Sequence, residues 1–506
     1  MNNGKICVSV CARTADEMIA KIKRSEEFAE VIEVRFDCLR PEQVGLIFDL
    51  IEGSQITTPL IAKIPLGTLS DKNKEQSNEQ KELWQKIGKL FWIGDIETEG
   101  YLFAASTQRS IASFHDFDGS PRNLDGVFEK LSSTTADIIK IAVQTDDAPS
   151  AIPVWNVLKR PRPNGKDLIA IAMGEAGKWT RVLGSAHGSF LTYCSLDEGD
   201  ETAPGQITAK DLTETYRVKD LDRNTKVYGV IGNPVSESLS PYIHNAAFAA
   251  QELNAVFVPF QVKDLDEFIR RMVNAETREI DLNFDGFSVT MPHKQAILKH
   301  LVAIDATAEK IGAVNTVKIE EERLIGYNTD AYGFITPLRE HFGDLKNATA
   351  AVLGAGGAAR ACAFALKQEN ADVTIFAREK NRAETLAREF GTAAAELPTT
   401  EGLRPKSDLS RFDIIVNATP VGMKGPLENE SLFTADQLEG VKFVYDLVTS
   451  AADTPMMREA KKAGVSAIGG IEMLIQQGAK QFEIWTGQRA PLEKMREAVQ
   501  KRVSRT

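Results

Sequence analysis

The sequence predicts an α/β protein that begins with a (β/α)8 barrel and continues as a two-lobed α/β region with a Rossmann nucleotide-binding lobe. The length of 506 residues suits two or three domains at roughly 150 residues each. Eight short apolar runs alternate with helix-like segments before residue 205, and a glycine-rich turn joins a strand pattern to a helix pattern at 354. With 43% hydrophobic and 26% charged residues, the composition is globular and excludes a disordered or fibrous chain.

The barrel is predicted over residues 1–215. Parallel strands need crossover connections, usually helices, so eight apolar runs separated by helix-like segments are typical of a (β/α)8 barrel. A short helix is expected in the gap from 97 to 110. The eight predicted strands are 6–10, 31–36, 60–64, 91–97, 110–115, 137–142, 168–173 and 189–194.

The second half is predicted to form two lobes after a helix and linker at 207–224. The first lobe covers 225–335, and the second, which follows the nucleotide-binding pattern of alternating strands and helices, covers 336–471. The helical segment 472–506 is expected to return and complete the first lobe. The predicted strands of the two lobes include 226–231, 255–260, 284–290, 349–353, 372–377, 414–419, 443–448 and 465–470.

The net charge of −11 argues against nonspecific nucleic-acid binding, which needs clustered basic residues. No apolar run approaches the ~20 residues of a membrane span, and the first residues lack a signal or transit pattern. We therefore expect a cytoplasmic protein with no nucleic-acid or membrane partner, although an anionic small molecule stays possible as a ligand. The five cysteines form no metal-binding spacing, so we expect free thiols and no metal site.

Polar and charged side chains lie at the C-terminal ends of the predicted barrel strands, where the chemistry of this fold takes place. Charged side chains inside apolar strands are costly unless they are paired or functional. Their presence at one end of six strands predicts an active site there. These residues are Glu33, Arg35, Lys63, Asp95, Glu97, His115 and Lys140, followed beyond the seventh and eighth strands by Arg181, Thr202 and Gln206.

Lys140 lies in a strand that is apolar on both sides, which predicts a desolvated amine of lowered pKa that forms a Schiff base with a ketone. His115 ends the neighbouring strand and is suited to remove the activated proton. Glu33 is placed to orient His115, and Arg35 and Arg181 to bind a carboxylate. The structural alternatives are a snorkelling lysine, a satisfied core histidine and a salt bridge between Glu33 and Arg35.

Several segments of the first half resemble type I 3-dehydroquinate dehydratase: IEVRFD (32–37), ASFHDF (112–117), ADIIKIA (136–142), MGEAGKWTRVLG (173–184) and TAPGQ (202–206). The resemblance implies a Schiff base at Lys140, acid–base work by His115 with Glu33, and loss of water from 3-dehydroquinate. Three positions depart from the family pattern: Lys63 replaces an arginine, Gly67 a glutamate, and Thr202 a serine. The implied substrate contacts are Arg35, Lys63, Arg181, Thr202 and Gln206.

The segment GAGGAA (354–359) follows a strand pattern and precedes a helix pattern, as in dinucleotide-binding folds. A second strand ends at Arg378, and Arg382 follows four residues later. Two cations at the place where the adenosine ribose is bound favour NADP over NAD. The alternatives are a glycine turn without a ligand and a solvated helix start. The predicted cofactor contacts in this turn are Gly354, Ala355, Gly356, Gly357 and Ala358.

Motifs in the second half resemble shikimate dehydrogenase: GNPVSESLSPYIHN (232–245), SVTMPHK (288–294), GAVNT (312–316), GYNTDAYG (326–333), NATPVGM (417–423) and EMLIQQ (472–477). The resemblance implies that Lys294 and Asp330 form the catalytic pair and that Thr419 contacts the cofactor. A carbonyl that accepts hydride needs a proton donor, and a lysine beside an aspartate provides one. Lys294 follows Pro292 and is expected in a first helical turn. The implied substrate contacts are Ser238, Ser240, Thr290, Asn315 and Gln477.

Alternatives for Lys294 and Asp330 are a helix-surface lysine and a helix N-cap. The motifs depart from the family pattern at Ser288, Glu237 and Thr449. The two resemblances together imply a bifunctional enzyme that makes 3-dehydroshikimate and then reduces it to shikimate with NADPH. The alternatives are a metabolite-sensing regulator built on the same domains, which would be expected to lose Lys140 and Lys294, and a quinate/shikimate dehydrogenase that uses NAD.

Overall fold

The computed structural model describes residues 4–63, 85–97, 107–119, 123–162, 165–397, 409–450 and 452–504. Contacts between Cα atoms divide the chain into two compact units. The first contains Met1–Gly229, Asn233–Glu237 and Asn254–Asn283, and the second contains Val230–Gly232, Ser238–Leu253 and Phe284–Thr506. The domain boundaries predicted from the sequence stay predictions.

The first unit contains the predicted barrel. Each strand pairs in parallel with the next along the chain as far as β7, and β8 pairs in parallel with β1, so the sheet is nearly closed. All eight predicted strands are present, with ends shifted by a few residues. The strands are β1 (Ile6–Val10), β2 (Val31–Arg35), β3 (Leu60–Lys63), β4 (Ile93–Glu97), β5 (Arg109–Asp116), β6 (Ile138–Gln144), β7 (Asp167–Met173) and β8 (Thr192–Cys194).

The helices between these strands bury one apolar face. In the first of them, Met18 and Ile22 are buried, and Thr14 caps the helix by accepting a hydrogen bond from the backbone of Glu17. The short helix expected between 97 and 110 falls largely outside the described residues. The α-helices of the barrel that lie wholly within the described residues are α1 (Ala15–Ser25), α2 (Val44–Glu52), α3 (Leu124–Ser132), α4 (Ile152–Val157) and α5 (Lys178–Leu183).

The expectation of five free thiols is wrong for two cysteines, because Cys11 and Cys38 form a disulfide. The two residues follow β1 and β2, which are neighbours in the barrel, and their Cα atoms are 5.4 Å apart, within the range that a disulfide spans. Counting cysteines along the sequence does not detect this proximity. Cys7, Cys194 and Cys362 are free and buried.

A six-stranded mixed sheet follows the barrel in the chain. Within it, β13 pairs antiparallel with β11 and β14, and β12 pairs parallel with β14. The strands are β9 (Lys226–Gly232), β10 (Ala255–Gln261), β11 (Phe284–Val289), β12 (Ala303–Ile304), β13 (Thr316–Glu320) and β14 (Arg323–Tyr327). The helices of this part of the chain are α6 (Ser240–Ala250), α7 (Leu265–Phe268), α8 (Ala306–Ile311) and α9 (Asp330–Phe342).

The third sheet lies in the second unit and is entirely parallel. Its order along the sheet is β17-β16-β15-β18-β19-β20, the order of a dinucleotide-binding fold, with the switch point between β15 and β18. This confirms the predicted Rossmann lobe. The strands are β15 (Thr349–Leu353), β16 (Asp372–Ala377), β17 (Ala393–Glu396), β18 (Ile414–Asn417), β19 (Phe443–Asp446) and β20 (Ser466–Gly469), with the helices α10 (Gly357–Gln368), α11 (Lys380–Phe390) and α12 (Pro455–Lys462).

The chain ends in two helices, α13 (Gly470–Thr486) and α14 (Leu492–Val503). Within the second unit, α13 packs against α9 and α6, and the indole Nε1 of Trp485 donates to the carbonyl of Val317 in β13 at 2.9 Å. The C-terminal segment therefore packs against α6, α9 and β13 within the second unit, while its assignment to the first lobe stays a prediction. No helix in the described parts of the chain has the length and apolar character that a membrane span needs.

Candidate active sites

Three charged side chains from different strands meet inside the barrel. Lys140 Nζ on β6 lies 2.8 Å from Asp95 Oδ2 on β4 and 3.5 Å from Glu33 Oε2 on β2. The exposed fractions of the three side chains are 6%, 0% and 3%. Because the strands are parallel, their C-terminal ends deliver these residues to one place, as predicted. The structure thus holds Lys140 between two carboxylates.

Asp95 is shared between two ammonium groups. Its second oxygen, Oδ1, lies 3.1 Å from Nζ of Lys63 on β3, and Lys63 also donates to Ser113 Oγ at 3.1 Å. Burial alone would raise the pKa of Asp95, but Lys140 and Lys63 hold it far below its usual value. Sequence reasoning counted Asp95 among the polar strand ends and gave it no role. The sequence does contain a signal for this contact, because the acidic residue Asp95 ends a strand that is two strands away from the strand of Lys140.

The structure corrects the expected pKa of Lys140. Burial alone would lower the pKa of this amine, but Asp95 and Glu33 more than offset the burial, so the pKa is raised above the ordinary lysine value. The prediction considered the apolar neighbours along the strand and not the carboxylates across the barrel. In the free protein Lys140 is therefore a paired ammonium.

His115 lies near the end of β5, the strand next to Lys140. In the register of β5 and β6, Ser113 pairs with Lys140 and His115 with Ala142, so His115 is two residues nearer the C-terminal end of the strand. Burial, together with the charges of Lys140 and Lys63, holds the pKa of His115 well below its usual value. The imidazole is therefore neutral near pH 7 and able to accept a proton.

Arg181 is a fully buried cation with only backbone partners. Its guanidinium donates to the carbonyls of Tyr193 and Pro204, both at 3.2 Å, and its Nε has no hydrogen-bond partner among the described residues. Burial lowers its pKa to about 10. A buried guanidinium with a vacant donor is suited to bind an anion. Arg35, in contrast, already forms a two-point ion pair with Asp37.

A chain of hydrogen bonds joins the last predicted barrel residues to Glu33. Gln206 Nε2 donates to Thr202 Oγ1 at 3.2 Å, Thr202 donates to Ser9 Oγ at 2.9 Å, and Ser9 donates to Glu33 Oε1 at 2.6 Å. Sequence reasoning missed Ser9, a small polar residue in an apolar strand. The role of Glu33 in orienting His115 stays a prediction, while Glu33 itself accepts from Ser9 and lies 3.5 Å from Lys140 Nζ. Gly67 lies outside the described residues.

The predicted catalytic pair of the second unit is formed. Lys294 Nζ lies 2.5 Å from Asp330 Oδ2, with 19% and 6% of the two side chains exposed. Asp330 is the first residue of α9, with Thr329 at the N-cap. Lys294 is not in a helical turn as expected, because helical structure begins only at Ala296. The carbonyl of Lys294 instead accepts from the backbone N–H of Val314 at 2.8 Å, which holds the residue in a turn.

Asn315 is the centre of the polar network beside this pair. Its Nδ2 donates to Asp330 Oδ1 at 2.8 Å and to Gln477 Oε1 at 3.1 Å. Gln481, which sequence reasoning missed, donates to the carbonyl of Asn315 at 3.2 Å. The structure therefore brings Asn315 and Gln477 to the predicted catalytic pair. The other three predicted substrate contacts lie at the end of β11 (Thr290) and at the start of α6 (Ser238 and Ser240).

The glycine turn after β15 fits a dinucleotide phosphate. Gly354 has φ +117°, and a Cβ there would lie 2.8 Å from the carbonyl oxygen of Ala418, so glycine is required. The helix α10 begins at Gly357 with no side-chain cap, which leaves its first N–H groups for an anion. Ala355 and Ala358 lie in the same turn. A Cβ on Gly357 would approach Lys294 Cδ to 3.1 Å, so the turn lies beside Lys294.

Two arginines are exposed at the end of β16, where the adenosine ribose of a dinucleotide is bound. Arg378 directly follows the strand, and α11 begins at Lys380, between Arg378 and Arg382, as the cofactor prediction required. Arg382 lies 3.7 Å from Glu379. Across the switch point, Thr419 follows β18 and donates to Asn417 Oδ1 at 2.7 Å. These residues fit a dinucleotide that carries a 2′-phosphate.

Family models match nearly the whole chain. The model for type I 3-dehydroquinase matches residues 6–223. The model for the shikimate dehydrogenase substrate binding domain matches 230–317, that for shikimate/quinate 5-dehydrogenase matches 337–442, and that for the shikimate 5′-dehydrogenase C-terminal domain matches 470–500.

Individual relatives agree with this division. The chain is 31% identical to the chloroplastic bifunctional 3-dehydroquinate dehydratase/shikimate dehydrogenase of Arabidopsis thaliana, over 97% of this chain and 83% of the relative. It is 42% identical to the shikimate dehydrogenase (NADP(+)) of Methanopyrus kandleri, over 55% of this chain and 96% of that protein. A crystal structure of shikimate dehydrogenase in complex with NADP+ is 40% identical, with a TM-score of 0.50, and covers 56% of this chain and 97% of that one.

The fold and the two sites define a lyase domain with a buried lysine, joined to a dehydrogenase domain of the dinucleotide-binding class. The identity over almost the full length places the chain within one family. It belongs to the bifunctional 3-dehydroquinate dehydratase/shikimate dehydrogenases of the shikimate pathway. No group of three or more His, Cys, Asp or Glu side chains within the described ranges is arranged to hold a metal ion.

Proposed function

We propose that the barrel converts 3-dehydroquinate to 3-dehydroshikimate through an imine at Lys140, and that Lys294 and Asp330 serve the reduction of 3-dehydroshikimate to shikimate with NADPH. The observation that carries the first role is the enclosed contact of Lys140 with Asp95 and Glu33 beside a neutral His115. The hydrogen-bonded Lys294–Asp330 pair beside the glycine turn carries the second.

In the dehydration, the amine of Lys140 attacks the ketone carbon, the C=N bond forms and the carbonyl oxygen leaves as water. The imine withdraws electrons from the adjacent carbon. His115 then accepts the proton of that carbon and returns it to the hydroxyl group one carbon further on, which departs as water. Hydrolysis of the imine returns the amine and consumes one water, so the net loss is one molecule of water.

The substrate carboxylate needs a cation near the C-terminal ends of the strands. Arg181 has the vacant guanidinium Nε and the burial that strengthen such a contact. Thr202 and Gln206, whose hydrogen bonds lead to Glu33 through Ser9, are placed to bind substrate hydroxyls. Arg35 and Lys63 add positive charge, although the structure holds each of them on a carboxylate.

In the reduction, NADPH supplies the hydride. Lys294 holds the proton that the new hydroxyl oxygen receives, and Asp330 orients the ammonium and relays a proton from water back to the amine. Asn315 and Gln477 position the carboxylate of Asp330 and bind substrate hydroxyls together with Ser238, Ser240 and Thr290. The N-terminus of α10 binds the pyrophosphate, and Arg378 and Arg382 bind the 2′-phosphate.

The proposed partners are these small molecules alone, with no nucleic acid or membrane. A cytoplasmic location is likewise proposed from the sequence. The name of the Arabidopsis thaliana relative states a chloroplastic location for that protein.

The test is a coupled assay in which NADPH absorbance is followed after addition of 3-dehydroquinate. A loss of NADPH absorbance after addition of 3-dehydroquinate requires both active sites. Addition of 3-dehydroshikimate tests the dehydrogenase site alone, and replacement of NADPH by NADH tests the choice of cofactor. Oxidation of NADPH with 3-dehydroshikimate but not with 3-dehydroquinate would contradict the barrel assignment. Absence of oxidation with either substrate would contradict the dehydrogenase assignment, provided that the enone absorbance of 3-dehydroshikimate still appears.

A further inference from the structure

Lys63 and Asp95 make contacts at the barrel site that the reaction above does not use. One carboxylate bridges two ammonium groups, with Asp95 Oδ1 3.1 Å from Lys63 Nζ and Oδ2 2.8 Å from Lys140 Nζ. Ser113 Oγ accepts a further hydrogen bond from Lys63 at 3.1 Å. Lys63 and Asp95 are both buried, at 5% and 0% exposure, so solvent does not screen their charges.

We propose that Lys63 is a positioning residue that acts through Asp95, keeping that carboxylate paired so that Lys140 can give up its charge and form the imine. The proposal rests on the imine role of Lys140 proposed above. It assigns to Lys63 a task different from direct contact with the substrate carboxylate.

The physical argument starts from the proton that Lys140 must lose before it attacks a carbonyl. If Lys140 were the only cation paired with Asp95, its deprotonation would leave a buried, unpaired carboxylate. This cost would strongly oppose the deprotonation. Because Lys63 is paired with the other oxygen of Asp95, this carboxylate still has a cationic partner after Lys140 has lost its proton. The charge of Lys63, held on the same carboxylate as Lys140, also opposes the ammonium form of Lys140, because like charges disfavour one another.

The other groups that face Lys140 do not supply a second cation to Asp95. Arg35 is held by Asp37 in a two-point ion pair, and the ring of Tyr193 lies 4.0 Å from Lys140 Nζ. Lys63 is thus the cation joined directly to the carboxylate that holds Lys140. The titratable and charged groups around Lys140 are Cys7 (β1), Glu33 and Arg35 (β2), Lys63 (β3), Asp95 (β4), His115 (β5) and Tyr193 (β8).

The test measures how fast borohydride traps 3-dehydroshikimate on Lys140 as a function of pH, in the full-length protein. Loss of the Lys63 charge in Lys63→Met should raise the pH of half-maximal trapping by about one unit or more, which is about a tenfold loss below that midpoint. Lys63→Arg should restore the midpoint, because the charge returns. Asp95→Asn should move the midpoint downward, because the ammonium form loses its partner.

Lys89→Met is the matched control, since Lys89 pairs with Glu52 at the exposed surface of the barrel, and its midpoint should be that of the unaltered protein. NADPH oxidation with 3-dehydroshikimate shows that each variant chain is folded in its second unit. Near-ultraviolet circular dichroism, compared with the control, reports the barrel. If Lys63→Met fails to fold there, Lys63→Gln, which also removes the charge, takes its place and should raise the midpoint in the same way.

An unchanged midpoint in Lys63→Met, with weaker binding of 3-dehydroshikimate at every pH, would overturn the proposal and assign Lys63 to the substrate. An unchanged or raised midpoint in Asp95→Asn would also overturn it. Failure of the underlying imine role gives a different result: the unaltered protein would then show no adduct on Lys140 at any pH.

Discussion

The barrel site and the dehydrogenase site each contain a lysine paired with an aspartate, in very different surroundings. In the barrel, the Lys140–Asp95 pair at 2.8 Å is enclosed, and the charged groups Glu33 and Lys63 contact it. In the second unit, 19% of the Lys294 side chain is exposed and Asp330 is held by the neutral amide of Asn315. In the barrel, the lysine–aspartate pair is thus flanked by further charged side chains, whereas in the dehydrogenase site the aspartate is held by the dipole of a neutral amide.

This difference matches the tasks proposed for the two lysines. A nucleophilic amine must become neutral during the reaction, so its carboxylate needs a second cation. A proton donor stays charged until the moment of transfer and needs only an oriented carboxylate. Three predictions test this comparison in order of expected effect.

The largest effect is expected from Lys140→Met. Loss of the nucleophile should reduce dehydration of 3-dehydroquinate by at least roughly 10³-fold, measured by the enone absorbance of the product. Reduction of 3-dehydroshikimate by the same protein should be unchanged, because the second site lies in the other unit. Lys130→Met, at an exposed position of α3, is the control. Parallel loss of both activities would contradict separate sites.

The second effect is expected at Lys294 and Asp330. Lys294→Met and Asp330→Asn should each lower the dehydrogenase kcat by roughly 10²–10⁴, the range for loss of an acid–base group. Binding of NADPH, followed by its fluorescence, should survive because neither residue belongs to the glycine turn. Lys299→Met, at an exposed position five residues further on, is the matched control. Near-normal turnover in both variants would assign the pair a structural role.

Most of the fold follows from sequence because its signals are local. The apolar run around Lys140 and the turn at Gly354 identify their elements without any tertiary information, and the structure confirms both. The disulfide between Cys11 and Cys38 was not predictable in this way, since the residues are 27 positions apart and meet only because β1 and β2 are neighbours.

The site residues were harder to assign, because their properties depend on contacts across the barrel. Lys140 was correctly found among apolar neighbours, but its pKa is raised by Asp95, which belongs to another strand. Pro292 suggested a helical turn at Lys294, whereas the backbone bond to Val314 holds that residue outside the helix. The pattern of residue types in the sequence thus indicates where a site lies. The pKa values of its side chains and the backbone conformation of its residues can be assigned only from the folded chain.

The smallest expected effect is on the preference for NADPH over NADH. It extends the comparison between enclosed and exposed charges to the arginines at the exposed end of the dehydrogenase site. Arg378 directly follows β16 and is exposed, so its contact with a 2′-phosphate is partly screened by water. We expect NADPH to be preferred over NADH by at least about tenfold in kcat/KM, about 1.4 kcal/mol, in line with one charge-assisted hydrogen bond. Arg378→Ala should reduce this preference through the KM for NADPH, with little effect on NADH.

Arg388→Ala is the matched control for this prediction, because Arg388 is an exposed arginine at the far end of α11. Kinetics with both cofactors at two salt concentrations give a further check, since screening should weaken the contribution of Arg378 while leaving the enclosed barrel pair, and hence dehydration, nearly unaffected. Equal use of NADPH and NADH by the unaltered protein would refute the assignment. Strong NADPH preference retained in Arg378→Ala would refute the role of Arg378 and leave the phosphate contact to the other cations at the start of α11, Lys380 and Arg382.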